Sequence, residues 1–259
     1  MIFVGDGALL RRAVAHAAAQ GHPVDLVCSA DPRDATVDGA PHLHLPAPAG
    51  GDARAGGDAH ADVNARADAL ADACTDGIVW SLNNRRIFRA PLLSRGLRIL
   101  NVHNGLLPRH RGLPSVAVLF ALLNGEREYG ATLHEVDAGI DTGRVLAVRR
   151  FPIAPDARHF QVMLHGVRAC QALFEESLPA VAAGAPLPAP PAPAGPSAYH
   201  GTRALARLAA HRDHPAYARS TDLGPFAAHA PELAAAVAAV TGPHAGHCLS
   251  PDGRYGLQP

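Results

Sequence analysis

Short apolar runs and stretches of helical period alternate along the first half of the chain. Ile2-Phe3-Val4-Gly5 is a continuous apolar run closed by a glycine, the pattern of a strand covered on both faces. Ala8 to Gln20 then carries its apolar residues three and four apart, and Gly21 stands where such a helix caps. Val24 to Cys28 predicts a second strand and His42 to Leu45 a short third one. Pro46 to Ala61 is rich in Gly, Ala and Asp and reads as a loop. Val63 to Cys74 predicts a helix, Ile78 to Ser81 a buried strand, and Leu97 to His103 another. Ser115 to Leu123 is an apolar helix entered at Pro114 and left at Asn124-Gly125.

Farther on, Ala131 to Val136 and Val145 to Phe151 predict strands around a glycine-flanked turn, and His159 to Ala183 a long helix. Alternating strands and helices give an α/β fold: a doubly wound, mostly parallel sheet, in which ligands gather at the carboxyl ends of the strands. Gly184 to Pro196 is too proline-dense for a helix or a central strand. The chain is therefore expected to divide into a catalytic domain at 1–183, a Pro/Ala-rich linker at 184–197 and a small C-terminal appendage at 198–259. Within the appendage, Thr202 to His211 and Pro231 to Val240 are helical candidates around turns at His214-Pro215 and Thr221 to Gly224.

Composition narrows the function. At 259 residues, 48% hydrophobic and 18% charged, the chain can bury a substantial core. The 23 basic residues balance 23 acidic ones, which argues against a nucleic-acid binder. Every basic residue is Arg, so a catalytic lysine and a Schiff base are excluded. Cys28, Cys74, Cys170 and Cys248 form no Cys-x-x-Cys pair, and neither His42-Leu43-His44 nor His247-Cys248 has partners at ligand spacing. No metal is expected. No apolar run is long enough to cross a bilayer and no signal peptide is read, so the expectation is a cytoplasmic protein without a membrane partner.

The chemistry concentrates in two places. Asn101 and His103 lie two apart at the end of a predicted strand, on one face. Asp141 sits in the turn Gly139-Ile140-Asp141-Thr142-Gly143, which can fold back beside them. An amide donor, an imidazole and a carboxylate suit the attack of an amine on a carbonyl, which needs its oxygen polarised and a proton removed.

At these residues the chain resembles the folate-dependent formyltransferases, a family that includes the glycinamide ribonucleotide, methionyl-tRNA and sugar N-formyltransferases. The pattern appears as Asn101-Val102-His103, Leu106-Leu107-Pro108, Arg111-Gly112, Thr132-Leu133-His134 and Asp141-Thr142-Gly143. It runs from about Gly77 to about Ile153 and more loosely from Met1. One departure follows the histidine: many members have Pro-Ser where this chain has Asn104-Gly105.

The resemblance implies a Rossmann-like formyltransferase fold and transfer of a formyl group from 10-formyltetrahydrofolate to an amine. Asn101 would hydrogen-bond the developing oxyanion, His103 would stabilise that charge and deliver a proton to the leaving nitrogen, and Asp141 would orient His103 and accept the amine proton. The donor's pteridine would lie against the loop Asn83, Asn84, Arg85, Arg86 and Ile87, with Gly139, Ile140 and Asp141 opposite. Gly105, Leu106, Arg111 and His134 are expected on the substrate side. The expected acceptor is a small molecule of specialised biosynthesis: an amino acid, a hydroxylated amine, an amino sugar nucleotide or a carrier-bound amine. With a short tail that is not basic, formylation of charged tRNA is not expected. The appendage would act as a lid or as the contact of a homodimer. Two rival readings share these motifs, a 10-formyltetrahydrofolate hydrolase and a degenerate, non-catalytic binding module.

Overall fold

The structure, a computed structural model, describes residues 1–35, 39–46, 61–188 and 195–241, with side chains at 61 and 62 left aside. A seven-stranded sheet organises it, in the order β3-β2-β1-β4-β5-β7-β8. Its strands are β1 Ile2–Gly5, β2 Leu26–Ser29, β3 His42–His44, β4 Ile78–Leu82, β5 Arg98–His103, β7 Glu128–Glu135 and β8 Val145–Pro152. From β3 through β5 every pairing is parallel; β7 and β8 close the sheet antiparallel. The expected α/β architecture with a mostly parallel sheet is therefore present. The central strands β1 and β4 read as largely apolar runs because helices cover both of their faces.

On one face, α1 Gly7–Ala19 and α6 His159–Ala182 pack on Phe3, Trp80, Leu100 and Leu133. Trp80 meets Phe174 edge-on, ring centres 4.8 Å apart, tying β4 to α6. On the other face, α2 Ala61–Ala65, α3 Ala67–Ala73 and α4 Ala90–Leu93 cover Ile2, Val4, Val79 and Ile99.

Several boundaries differ from the sequence reading. The helix expected over Val63 to Cys74 breaks at Arg66 into α2 and α3. Strand β2 starts at Leu26 rather than Val24, and β7 starts at Glu128, three residues before the expected Ala131. Most of the Pro46 to Ala61 loop, residues 189–194 of the linker and His247-Cys248 lie outside the described residues.

The appendage shares a core with the sheet domain. Apolar residues of α5 Pro114–Leu123 pack against Leu208, Tyr217, Leu223 and Leu233. Those residues come from a 3₁₀ segment at Thr202–His211, from α7 Tyr217–Ser220, from the turn after it and from α8 Pro231–Thr241. A two-residue ladder then joins β6 Arg111–Gly112 to β9 Tyr199–His200, immediately after the linker. Two residues after a proline-rich stretch carry no periodicity, so this pairing leaves no trace in the sequence pattern.

Candidate active site

The carboxyl end of β5 holds Asn101 and His103 between β4 and β7. Asn101 is in register with Ser81 of β4 on one side and with His134 of β7 on the other; His103 faces Thr132. The pleat directs Asn101 and His103 to one face, as their spacing requires. The Asn101 amide donates through Nδ2 to His134 Nε2 at 3.0 Å, while His134 Nδ1–H donates to the Glu135 carbonyl at 2.8 Å. Those two bonds place the His134 proton on Nδ1 and fix which way the Asn101 amide points.

The Asp141 turn folds back over this strand end. Asp141 Oδ1 lies 3.7 Å from His103 Nδ1 and 3.6 Å from His134 Nε2. Its other oxygen accepts the Gly112 backbone N–H at 2.8 Å. Asp141 has φ +53, a left-handed conformation uncommon outside glycine, and Asn83 across the sheet has φ +51. Strain of this kind persists where surrounding bonds over-determine it. Here Asp137 shapes the turn, accepting from the Gly139 N–H at 3.0 Å and the Thr142 hydroxyl at 2.6 Å.

Burial alone would raise the Asp141 carboxyl. The His103 ring, cationic in the acid range where this carboxyl titrates, together with His134 and the Gly112 N–H, outweighs it and holds the group well below the usual carboxylate range. His103 is 5% exposed, and burial pulls its imidazole below the ordinary value of 6.5 despite the nearby carboxylate. At neutral pH the site is therefore an ionised Asp141 facing a neutral His103. The His103 proton resides on Nε2, which donates to the His110 carbonyl at 2.6 Å. Its bare Nδ1 lone pair looks at the carboxylate across 3.7 Å, so two acceptors share one gap. Such a gap receives an N–H donor.

The loop at Asn83–Phe88 follows β4 and stands beside this strand end. Its shape comes from its own side chains. Asn84 accepts the Arg86 N–H through Oδ1 and donates through Nδ2 to the Arg86 carbonyl at 3.2 Å. Asn83 Nδ2 donates to the Asp6 carbonyl at 2.8 Å. The Arg86 guanidinium is buried; it donates to Asp6 Oδ2 at 2.7 Å and to the Leu45 carbonyl. Arg85 is exposed and approaches Glu232 of α8 at 3.7 Å, which brings the appendage against this loop. Ile87 is half-buried, and its carbonyl accepts from Asn64. In the Asp141 turn, Gly139 is exposed and Ile140 half-buried.

The remaining predicted residues sit beneath the trio. Gly105 packs directly on His103: a Cβ there would fall 2.7 Å from the ring's Nε2. That contact explains a glycine at this departure from the family pattern. Leu106 is buried, 1% exposed. Arg111 braces the Asp141 turn, donating through Nε to the Ile140 carbonyl at 2.9 Å and through Nη1 to Ser197 at 3.1 Å. Sequence reasoning missed the roles of Ser197, the last residue of the linker, and of Tyr199 and His200 just beyond it, which brace β6.

Among the described residues the His/Cys/Asp/Glu group with metal-ligand spacing is Asp25, Cys74 and Asp76, at the amino edge of the sheet. Thr75 donates to Asp25 and Cys74 Sγ to the Ile78 carbonyl, so this group shapes a turn. No helix among the described residues is long and apolar enough to cross a membrane.

The sequence profile of the family described as Formyl transferase matches residues 2–171. A methionyl-tRNA formyltransferase of Sorangium cellulosum (strain So ce56) is 47% identical over 57 residues, 22% of this chain and 18% of its own length. The match thus spans less than a fifth of that curated relative. A sugar N-formyltransferase from Shewanella sp FDAARGOS_354 superposes with a TM-score of 0.60 at 18% identity, over 87% of this chain and 89% of its own. An N-formyltransferase from Helicobacter canadensis, solved with folinic acid and dTDP-3-aminofucose, superposes with a TM-score of 0.50 at 19% identity, over 71% of this chain and 64% of its own. At these identities the structural likeness establishes a common fold.

Proposed function

Because this chain belongs to the formyl transferase family, we propose that it carries a formyl group from 10-formyltetrahydrofolate to the amine of a small molecule. The observation that carries the reading is the gathering of Asn101, His103, His134 and Asp141 at one strand end. There an ionised carboxylate and a neutral imidazole share a gap of 3.7 Å. The Helicobacter canadensis relative, solved with a folate and an amino sugar nucleotide, supports both the donor and the class of acceptor.

The residues fit the donor on two counts. The loop at Asn83–Phe88 stands next to the trio because β4 and β5 pair in register from Ile78↔Arg98 to Leu82↔Val102. It is also held rigid, with Asn84 closing it locally and Arg86 anchored in the interior, so its main chain is pre-organised. Asn83 to Ile87 would hold the pteridine, with Gly139, Ile140 and Asp141 opposite. When bound, 10-formyltetrahydrofolate supplies an activated formyl carbon.

The chain's own groups do the rest. Asn101 presents its amide to the oxygen on which negative charge develops, oriented by the bond to His134. Asp141, ionised at neutral pH, takes the proton from the attacking amine. His103, facing Asp141 through Nδ1, relays that proton toward the departing nitrogen. Gly105 and Leu106 floor the site on the acceptor side, and Arg111 acts there by bracing the turn.

The end of α1 bears on the acceptor. A helix amino terminus in this kind of fold readily receives a phosphate. Here the Gly7 N–H donates instead to Asp34 at 3.0 Å, and Asp6 flanks it. Asp34 is paired with Arg11 at 2.6 Å and Asp6 with Arg86 at 2.7 Å, so the chain's own carboxylates already occupy this helix end, which favours an acceptor not anchored there by a phosphate. Incubation with 10-formyltetrahydrofolate and a panel of amines, read by mass spectrometry for formylated products, tests the proposal. Amines without a phosphate near the nucleophile are expected among the products; formylation confined to charged tRNA would overturn the small-amine assignment.

A further inference from the structure

We propose that His110 and Glu126 are positioning residues that fix the tautomer of His103 from behind the reacting groups, an inference that rests on the formyl-transfer reading of this site. His103 can direct a bare Nδ1 at Asp141 only while its proton stays on Nε2, and that proton is held by the His110 carbonyl at 2.6 Å. Whatever sets the position of that carbonyl sets the state of the imidazole.

His110 is clasped from every side. Its backbone N–H donates to the Leu106 carbonyl at 3.0 Å, and its ring Nδ1 accepts the Leu106 N–H at 3.1 Å. Its Nε2–H donates to Glu126 at 3.1 Å, and its ring stacks on Tyr129 with centres 4.6 Å apart and planes at 23°. The side chain is 0% exposed, where an unbonded polar atom would be costly, and both ring nitrogens are bonded. Burial would raise the Glu126 carboxyl, but His110 and Arg109, the latter at 2.9 Å, hold it below its ordinary value. A plain aromatic ring would fill this volume and stack on Tyr129. The imidazole adds two directed bonds and leaves the turn from Leu106 to His110 one position for its last carbonyl.

Gly105 passes that position on. A Cβ there would lie 2.7 Å from His103 Nε2 and 2.8 Å from His110 Cβ, so the Gly105 backbone is wedged between the His103 ring and the root of the His110 side chain. The groups facing His103 are Asp141, His134 and His110; those facing His110 are Glu126, with Arg109 behind it, and His200, whose ring centre is 6.2 Å away.

The test uses the full chain, His110→Phe to keep volume and stacking, and Glu126→Gln to keep shape without charge. Long-range proton–nitrogen spectra of the imidazoles, with His103 assigned through His103→Gln, read the tautomer without any reaction. In the wild type His103 is expected neutral with its proton on Nε2. In His110→Phe its signal is expected to move to mixed tautomers with a shifted titration midpoint. Turnover is expected to fall by a factor on the order of 10², with KM for both substrates nearly unchanged, the signature of lost alignment. Glu126→Gln, which keeps an acceptor for His110, is expected to fall less. A folded His110→Phe whose His103 keeps its wild-type tautomer, midpoint and turnover would overturn the proposal. Should His110→Phe fail to fold, an unchanged His103 spectrum in Glu126→Gln would overturn it equally. Wild-type protein that forms no formylated product while the spectra shift as expected removes the formyl-transfer reading and leaves the positioning standing.

Discussion

The backbone N–H of Gly112 holds the carboxylate of Asp141 at 2.8 Å, across a sequence separation of 29 residues. Gly112 has φ +99, and a Cβ there would lie 2.8 Å from the His200 carbonyl. The strand after the linker is thus pressed against the residue that aims the carboxylate. Gly112→Ala is expected to cost about 1–3 kcal/mol of stability through left-handed strain and crowding. Turnover should fall more than folate affinity does. Urea unfolding and steady-state kinetics together check this; a stable variant with full turnover would show that the contact does not align Asp141.

Asn101→Ala, His103→Ala and Asp141→Asn are each expected to lower turnover by roughly 10²–10⁴ without unfolding the sheet. The three groups act on one reaction centre, so double variants should be little worse than the singles. Strictly multiplicative losses would mean the residues act independently.

The motifs made the trio legible because strand pleating and turn chemistry are local. Asn101 and His103 share a face by spacing, and Asp141 is marked by the glycines around it. The bracing is not local. Arg111 reads as a substrate contact by its place in the motif, yet its guanidinium is used on the Ile140 carbonyl and Ser197. The Arg86 guanidinium is committed to Asp6, at a separation of 80 residues, which leaves its main chain for the cofactor. Only the fold reveals which partner a long cationic side chain takes. The same holds for β9, whose two residues pair with β6. The strand-helix alternation, by contrast, was legible throughout β1 to β5, because parallel strands buried on both faces leave continuous apolar runs.

The pH dependence of turnover follows from His103. Burial lowers its pKa, so the ring stays neutral through the ordinary histidine range and protonates only below 6.5. The acid limb of kcat, measured at saturating amine, should therefore lie below that value, with a plateau above it. A limb centred above 6.5 that disappears in a His103 variant would contradict the assigned state.

Stability should fall with acid in two stages. His159 donates to the Ser115 carbonyl, and burial lowers its pKa from 6.5 to about 4. A folded value below the unfolded one gives stability that is complete above pH 6.5 and lost as pH falls toward 4. The difference corresponds to about 3 kcal/mol. His103 and His200, also lowered by burial, add to the same window. Below the ordinary carboxylate range Asp141 contributes a second loss. His159→Gln should flatten the urea midpoint between pH 6.5 and 4; an unchanged slope would show that His159 is not the group that titrates.

The most direct measurement of the central claim follows an isotopically labelled formyl group from 10-formyltetrahydrofolate, with and without added amine, in wild type and Asp141→Asn. The account predicts label on the amine nitrogen, release of tetrahydrofolate only when amine is present, and loss of both by roughly 10²–10⁴ in the variant. Release of labelled formate from wild type at the same rate with or without amine, or transfer undiminished in Asp141→Asn, would contradict it.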